Sequence, residues 1–226
     1  SDEYAARLRA TITETATPSK EVSPETGRDD RPTMHTTHFS IVDDQGNAVA
    51  LTTTINFLYG SKVAIGGAGF VMNNEMNDFT AKPGEPNAFG LVQGEANAVA
   101  PGKRPLSSMS PTIVLSEDGA PLVVTGARGG PHIITAAFQV LSNVVDYGFD
   151  LGAAVRAPRI HHQHLPDHIL YETDGLTPQL VESLKNRGHE LEDEGSIGSA
   201  PTIMRTENGR WAGMNDPRGS GSAAGY

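Results

Sequence analysis

The sequence of 226 residues is acidic, with a formal net charge of −10, and it contains no cysteine. The lack of cysteine excludes disulfides, zinc–thiolate sites and thiol catalysis. The acidic balance argues against a nucleic-acid partner, because phosphate binding needs clustered Lys and Arg. No apolar run has the length of a membrane span. Length and a hydrophobic content of 37% fit one large globular domain or a part of a bigger one.

The first 35 residues differ in composition from the rest of the chain. Tyr4, Leu8 and Ile12 recur four residues apart, which predicts a short amphipathic helix from residue 4 to residue 12. Residues 13–34 are rich in Pro, Thr and charge, which is typical of an extended linker. The chain does not begin with Met, so we expect it to be a piece of a longer protein.

Two threonine-rich strands are predicted after the linker. Residues 37–42 and 48–56 form a predicted hairpin around the turn DDQGN. Downstream, residues 81–94 contain Pro and Gly but no clear periodicity. A loop of this length in a compact domain is often a functional lid.

The second half of the chain predicts two more hairpins and two helices. Residues 111–125 and 202–214 each contain two short strands around a glycine turn. A first helix is predicted after Gly129-Gly130-Pro131, from the helical spacing of Ile134, Phe138, Leu141 and Val145. A second is predicted from about Pro178 to Arg187, with Thr177 as its N-cap. Hairpins and helices in separate blocks indicate an α+β fold of antiparallel sheets covered by helices.

The segment Thr36-Thr37-His38-Phe39-Ser40 allows a structural and a chemical interpretation. Threonine is common in strands, and its hydroxyl is a weak nucleophile unless a base takes its proton. A threonine that begins a chain has such a base in its own α-amine, with a reference pKa of about 7.7–8.0. Thr36 would gain this amine only by cleavage between His35 and Thr36. The linker before it would suit such a cut.

Several strings of the sequence match one known family. They are NNEMNDF (73–79), KRPLSSMSPTIV (103–114), TGARGGPHIITA (125–136), APRIHHQHLPD (157–167), NDPR (215–218) and AAGY (223–226). With the threonine-rich strands, they resemble the small subunit of γ-glutamyltranspeptidases over essentially all of residues 36–226. Residues 1–35 resemble the last piece of the large subunit before self-cleavage.

The resemblance implies a fold and a reaction. The family belongs to the N-terminal nucleophile (Ntn) hydrolases, with a four-layer αββα sandwich of which this chain would supply the small-subunit half. A precursor would cut itself between His35 and Thr36. Thr36 would then form a γ-glutamyl ester from glutathione or another γ-glutamyl amide, and water, an amino acid or a dipeptide would remove the acyl group. The large subunit is the expected partner, no cofactor is implied, and a periplasmic or secreted location is expected from the family alone.

The resemblance also implies roles for single residues. Thr54 would hydrogen-bond the nucleophile, and the backbone amides of Gly129 and Gly130 would form the oxyanion hole at a helix start. The other matches would bind the substrate, with Asn56, Glu75 and Asp78 at its α-ammonium and Ser107 and Ser108 at its α-carboxylate. The family also uses an arginine of the large subunit, so the 226 residues alone are not expected to be a complete enzyme.

Three positions depart from the family pattern. The family usually has serine-proline before the Gly-Gly pair and serine or threonine after it, whereas this chain has Arg128 and Pro131. Pro131 is well placed at a helix start, so we expect the oxyanion donors to survive. Arg128 adds a cation that would favour acidic acceptors. Phe89 replaces a common lid tyrosine and removes a hydroxyl that could reach Asn56, which predicts a looser lid and more hydrolysis relative to transfer.

A cluster of histidines is a weaker signal. Four fall within eight residues, namely His161, His162, His164 and His168. Imidazoles at such spacing can bind zinc. However, adjacent His161 and His162 would point apart in a strand, and the family carries HHQ here without a metal. We expect a hydrogen-bonded scaffold and no metal.

Other functions remain open from the sequence. Glutaryl-cephalosporin acylases share the fold and the nucleophile but need no ammonium site, so Glu75 and Asp78 disfavour them. Poly-γ-glutamate capsule transpeptidases are also related, and the full lid argues against a long polymer. An uncleaved, non-catalytic homologue is kept open by Arg128 and Pro131. The joint presence of the nucleophile, its threonine partner and the Gly-Gly pair argues against it.

Overall fold

The structure is a computed structural model that describes residues 2–22 and 34–226. Its helices are α1 (Asp2–Arg9), α2 (Ser19–Val22), α3 (His132–Val145), α4 (Leu151–Arg156) and α5 (Pro178–Asn186). Its strands are β1 (Met34–Val42), β2 (Ala48–Phe57), β3 (Thr112–Leu115), β4 (Pro121–Thr125), β5 (Ile160–His161), β6 (Ile169–Tyr171), β7 (Leu191–Asp193), β8 (Thr202–Arg205) and β9 (Trp211–Met214). Two short 3-10 turns span Glu75–Asp78 and Glu95–Asn97.

The elements stack in layers. The β1–β2 hairpin packs against a four-stranded antiparallel sheet with strand order β3-β4-β8-β9. Helix α4 packs against β8 and β9, and α3 packs against α4. The four-stranded sheet therefore lies between the hairpin and the helices, which gives three of the four layers of an αββα sandwich and confirms the expected fold class.

The main core lies between the helices and the four-stranded sheet. Small and branched residues on the inner side of α3 allow a close approach, and Ile133, Ala136 and Val140 are at most 2% exposed. They pack with Leu151 and Val155 of α4. Three of the four residues whose spacing predicted α3 lie on its exposed side, because Ile134, Phe138 and Val145 are 53–64% exposed. The helix itself is confirmed.

The β1–β2 hairpin has an unusual distribution of side chains. Its inner face is polar, with Thr36 and His38 buried. Its outer face is apolar and exposed, at Phe39, Ile41, Val49 and Leu51. Apolar side chains normally drive burial, so this inverted pattern indicates a surface that another layer covers.

Most predicted elements are present, with corrected bounds. The three predicted hairpins are confirmed as β1–β2, β3–β4 and β8–β9. The expectation of antiparallel sheets alone is wrong, because β6 and β7 pair in parallel. Helix α4 and the sheet of β5, β6 and β7 were not predicted.

The N-terminal predictions also need correction. Helix α1 starts and ends earlier than predicted, since Asp2 and Glu3 favour a helix start and the β-branched residues after Ala10 disfavour continuation. Helix α2 interrupts the expected linker, and the Ser19 hydroxyl donates to Asp167 at 2.8 Å. Residues 23–33 of that linker lie outside the described residues. Over the described ranges, no helix is long and apolar enough to cross a bilayer.

Candidate functional site

Two threonine hydroxyls meet on the inner face of the β1–β2 hairpin. The register places Thr36 directly opposite Thr54, and the Thr36 hydroxyl donates to the Thr54 oxygen at 3.2 Å. The backbone amide of Asn56 also donates to the hydroxyl oxygen of Thr54, at 2.8 Å. Thr36 is only 8% exposed. The alternation of strand side chains thus brings both hydroxyls to one buried face.

The backbone is irregular just before Thr36. Met34 pairs with Phe57 and Thr36 with Thr54, so the register shifts between residues 34 and 36. This places a β-bulge at the bond that the sequence predicts to be cut. The predicted strand start at Thr37 was wrong, because cross-strand pairing extends to Met34. Bulges occur often beside active sites, where they re-aim a side chain.

The turn before α3 requires glycine. Gly129 has φ of +133° and Gly130 has φ of +53°. A Cβ on Gly129 would lie 2.9 Å from the Cα of Gly198, so close packing also excludes a side chain. Pro131 is the N-cap, and its missing N–H is no loss at a helix start. Within the described part of the chain, the Gly129 and Gly130 amides find no hydrogen-bond acceptor.

Two carboxylates share the 3-10 turn beside the threonines. Burial, a hydrogen bond with Asp78 and the charge of Asp78 raise the pKa of Glu75 to about 8. The buried Oε1 of Glu75 has no hydrogen-bond partner among the described residues. Such a pair of carboxylates holds one proton at neutral pH, and a cationic group that binds there can replace this proton.

The two threonines and the two carboxylates line one cavity, which two serines and a loop also line. Ser107 and Ser108 line it from the segment before β3. Residues 81–94, the predicted lid, fold over it in a tight turn in which Asn87 accepts from the Phe89 and Leu91 amides at 2.9 and 3.0 Å. The Phe89 ring contacts Phe57 edge-on, with the ring centres 5.4 Å apart.

Most of the predicted site residues converge on this one cavity. Its lining includes Thr36, Thr54, Asn56, Glu75, Asp78, Ser107, Ser108 and Gly130. Gly129 lies behind the lining, packed on Gly198. Hydroxyls, a helix start and paired carboxylates are thus combined around one space, which suits attack on a carbonyl compound that carries a cationic group.

One buried residue near the site was missed from the sequence. His38 lies on the same face as Thr36, and its ring contacts the Thr52 hydroxyl at 2.8 Å and the Ser40 hydroxyl at 3.1 Å. Burial lowers the pKa of His38 to about 4, so the ring is neutral at pH 7. It contacts Thr52 and Ser40 rather than Thr36, which favours a scaffold role. The alternation of strand residues could have revealed its position.

The space for His38 depends on Gly126. A Cβ at residue 126 would lie 2.3 Å from the His38 ring. We expect Gly126→Ala to lower the free energy of unfolding of the full-length protein by about 1–3 kcal/mol, the usual result of overpacking. Gly66→Ala is the matched control, because a Cβ there meets nothing within 4 Å. Denaturant unfolding of both variants checks this, and equal stability of the two would contradict the packing argument.

The histidine cluster forms separate contacts. His161 pairs with the Thr135 hydroxyl at 2.8 Å and stacks edge-on with His132 at 4.6 Å. His162 contacts Asp167 at 3.3 Å and His168 contacts Glu192 at 3.5 Å. In the described ranges, no three His, Asp or Glu side chains are arranged to hold a metal ion.

Comparison with known proteins gives concordant matches. A family model described as gamma-glutamyltranspeptidase matches residues 1–226. The glutathione hydrolase proenzyme of Escherichia coli K12 is 46% identical over 183 residues, which are 81% of this chain but only 31% of that protein. The structure of a Helicobacter pylori gamma-glutamyltranspeptidase mutant is 46% identical with a TM-score of 0.77, covering 81% of this chain and 100% of that one. The structure of cephalosporin acylase from Bacillus halodurans is 28% identical with a TM-score of 0.78, covering 100% of this chain and 38% of that one.

Proposed function

Because the chain belongs to the gamma-glutamyltranspeptidase family, we propose that it carries the catalytic small subunit of a γ-glutamyl hydrolase and transferase that acts on glutathione and similar amides. Residues 36–226 form this subunit, and residues 1–35 are the end of the large subunit. The observation that carries the proposal is the single cavity that joins the Thr36–Thr54 hydroxyl pair to the Glu75–Asp78 carboxylates.

The first step is self-cleavage. In the uncut chain the nitrogen of Thr36 is an amide and cannot act as a base. The Thr36 hydroxyl attacks the carbonyl carbon of His35 and the C–N bond breaks. The nitrogen takes up the proton that the hydroxyl loses, and it leaves as the free α-amine of Thr36. Water then opens the resulting ester, which gives a carboxylate at His35 and restores the hydroxyl. The bulge beside this bond supports the proposal, because it breaks the regular pairing where the attack occurs.

Acyl transfer follows on the freed threonine. The α-amine of Thr36 takes the hydroxyl proton, with Thr54 orienting the oxygen, and Oγ attacks the γ-carbonyl of the substrate. The negative oxygen is stabilised by the backbone amides of Gly129 and Gly130 at the start of α3. The substrate amine leaves with a proton and a γ-glutamyl ester remains. Water completes hydrolysis, and an amino acid or dipeptide completes transfer.

The substrate is recognised by its two charged ends. The α-ammonium binds at Glu75, Asp78 and the Asn56 side chain, where its charge compensates the paired carboxylates. The α-carboxylate binds at Ser107 and Ser108 together with an arginine from the large subunit.

The large subunit is the proposed partner of the outer hairpin face. Four apolar side chains there, at Phe39, Ile41, Val49 and Leu51, are 38–55% exposed. The chain spans 31% of the length of the E. coli relative, so most of such a protein lies outside it. A second sheet from that remainder would cover the apolar face and complete the sandwich. We also propose a periplasmic or secreted location, which the family resemblance alone supports.

A cephalosporin-type acylase is the second candidate, favoured by the full-length match to the Bacillus halodurans structure. The two activities differ in whether the acyl group carries an ammonium. The cleaved full-length protein should be assayed on γ-glutamyl-p-nitroanilide and on glutaryl-p-nitroanilide, which differ only in that group. We expect a preference of on the order of 10²-fold or more for the γ-glutamyl compound, as for a lost charged contact. A preference for the glutaryl compound would identify the acylase.

Phe89 provides a test of the lid. We expect Phe89→Tyr to raise the ratio of transfer to hydrolysis by about fivefold, because one added hydrogen bond to Asn56 is worth about 1 kcal/mol. Phe70→Tyr is the control, since Phe70 is 59% exposed and does not line the cavity. Product analysis with a dipeptide acceptor gives the ratio, and an unchanged ratio in Phe89→Tyr would refute the lid hypothesis.

A further inference from the structure

A buried network of four charged side chains lies beyond the catalytic cavity. Arg159, Asp216 and Glu172 are 1%, 0% and 5% exposed. Arg159 contacts Asp216 at 2.7 Å, Asp216 contacts Arg218 at 3.2 Å, and Arg218 binds both oxygens of Glu172. Two cations and two anions alternate, so the charges compensate one another. None of the four lines the cavity.

The network also binds the backbone of residues 197–200. Glu172 accepts from the Ile197 amide at 2.7 Å, and Asp216 accepts from the Ala200 amide at 2.7 Å. Arg159 donates to the Ile197 carbonyl at 3.1 Å. One face of this segment is therefore held by charge-assisted hydrogen bonds, which are stronger than neutral ones.

The other face of the segment holds the turn before α3. The amide of Arg128 donates to the Ser199 carbonyl at 2.9 Å, and the Ser199 amide donates back to the Arg128 carbonyl at 3.0 Å. Gly198 packs against Gly129 so closely that a Cβ on Gly129 would lie 2.9 Å from its Cα. A Cβ on Gly198 would lie 2.9 Å from the Cβ of Ala136 in α3. The contacts leave little freedom between the segment and the turn.

Stability alone does not account for such a network. Removing ions from water is costly, and apolar residues of similar volume often stabilise a protein as well or better. The charged groups fix geometry here, because Arg159, Glu172 and Asp216 each bind a specific amide or carbonyl of residues 197–200. Arg218 in turn binds Glu172 and Asp216.

We propose that Glu172, Arg218, Asp216 and Arg159 are positioning residues that, through residues 197–200, fix the Gly129-Gly130 turn in the geometry that stabilises the oxyanion. The inference rests on the proposed function. The oxyanion exists only in the tetrahedral state, so a displaced turn lowers kcat and leaves ground-state binding unchanged. Small displacements are sufficient, since an error of about 1 Å can reduce a rate by about 10²-fold.

The test uses the full-length, self-cleaved protein with Arg218→Lys and Glu172→Gln. Both changes keep hydrogen-bond donors or acceptors but disturb the paired geometry. Arg205→Lys is the matched control, because Arg205 forms an ion pair with Asp118 at 3.6 Å and does not contact residues 197–200. For each protein, the concentration of chains that begin at Thr36 is measured, so that kcat can be expressed per cleaved chain. Both kcat and KM are measured on γ-glutamyl-p-nitroanilide.

Two inhibitors separate positioning from general destabilisation. A γ-boronic acid analogue of glutamate forms a tetrahedral adduct on Thr36 and needs the oxyanion donors, whereas glutamate itself needs only the ammonium and carboxylate sites. We expect both variants to lose about 10- to 100-fold in kcat per cleaved chain and in boronate affinity, with glutamate affinity and KM unchanged. Arg205→Lys should match the wild type.

Other outcomes would overturn the proposal. Equal losses for glutamate and boronate, or unchanged kcat per cleaved chain, would make the network merely structural. Variants that fold but all stay uncleaved would assign it to maturation instead. An inactive wild type would refute the proposed function itself, and is recognised before any variant is compared.

Discussion

Thr36→Ala is expected to leave the full-length protein as one uncut chain without γ-glutamyl hydrolase activity. The change removes the hydroxyl that would both attack His35 and carry the acyl group, while the strand that holds it keeps its pairing with β2. Loss of a nucleophile typically lowers kcat by on the order of 10⁴-fold or more. Electrophoresis of the incubated protein and an assay on γ-glutamyl-p-nitroanilide measure the two effects.

Thr36→Ser is the control for this prediction. Serine keeps the hydroxyl and, after cleavage, the α-amine, so we expect slower cleavage and a reduced but measurable activity. Rapid cleavage or undiminished turnover in Thr36→Ala would show that another residue is the nucleophile.

The Glu75–Asp78 pair should make ligand binding depend on pH. The pKa of Glu75 is raised to about 8, so at pH 7 its proton must leave before a substrate ammonium can take its place. For the competitive ligand glutamate, we expect the inhibition constant to fall on the order of 50-fold between about pH 6 and about pH 8. The inhibition constant falls as the pH rises, because the fraction of Glu75 that is deprotonated and able to bind the ammonium increases through this pKa.

Two controls belong to the pH experiment. Glutarate lacks the ammonium and should bind more weakly as the pH rises, because it meets a second negative charge. Glu75→Gln should bind glutamate weakly, with a flat pH profile. A flat profile in the wild type, or the same slope for glutamate and glutarate, would contradict a shared proton at this site.

Local sequence signals predicted the elements that carry the proposed chemistry. Turn residues between short apolar segments located the three hairpins. The Gly-Gly-Pro string correctly marked the start of α3. These features depend on short stretches of chain, where propensity and periodicity act directly.

The sequence could not reveal contacts between distant segments. The parallel pairing of β6 with β7 joins residues about 20 positions apart, and no local pattern specifies it. The need for glycine at residue 126 arises from the His38 ring of a different strand. The exposure of Phe39 and Ile41 could not be predicted either, because a strand pattern shows alternation but not which face another layer covers.

We propose that this chain becomes active by cutting itself before Thr36. It is tested most directly by the intact mass and N-terminal sequence of the full-length protein after incubation. We expect a new chain that begins at Thr36. A folded protein that remains whole would contradict it and would favour an uncleaved, non-catalytic homologue.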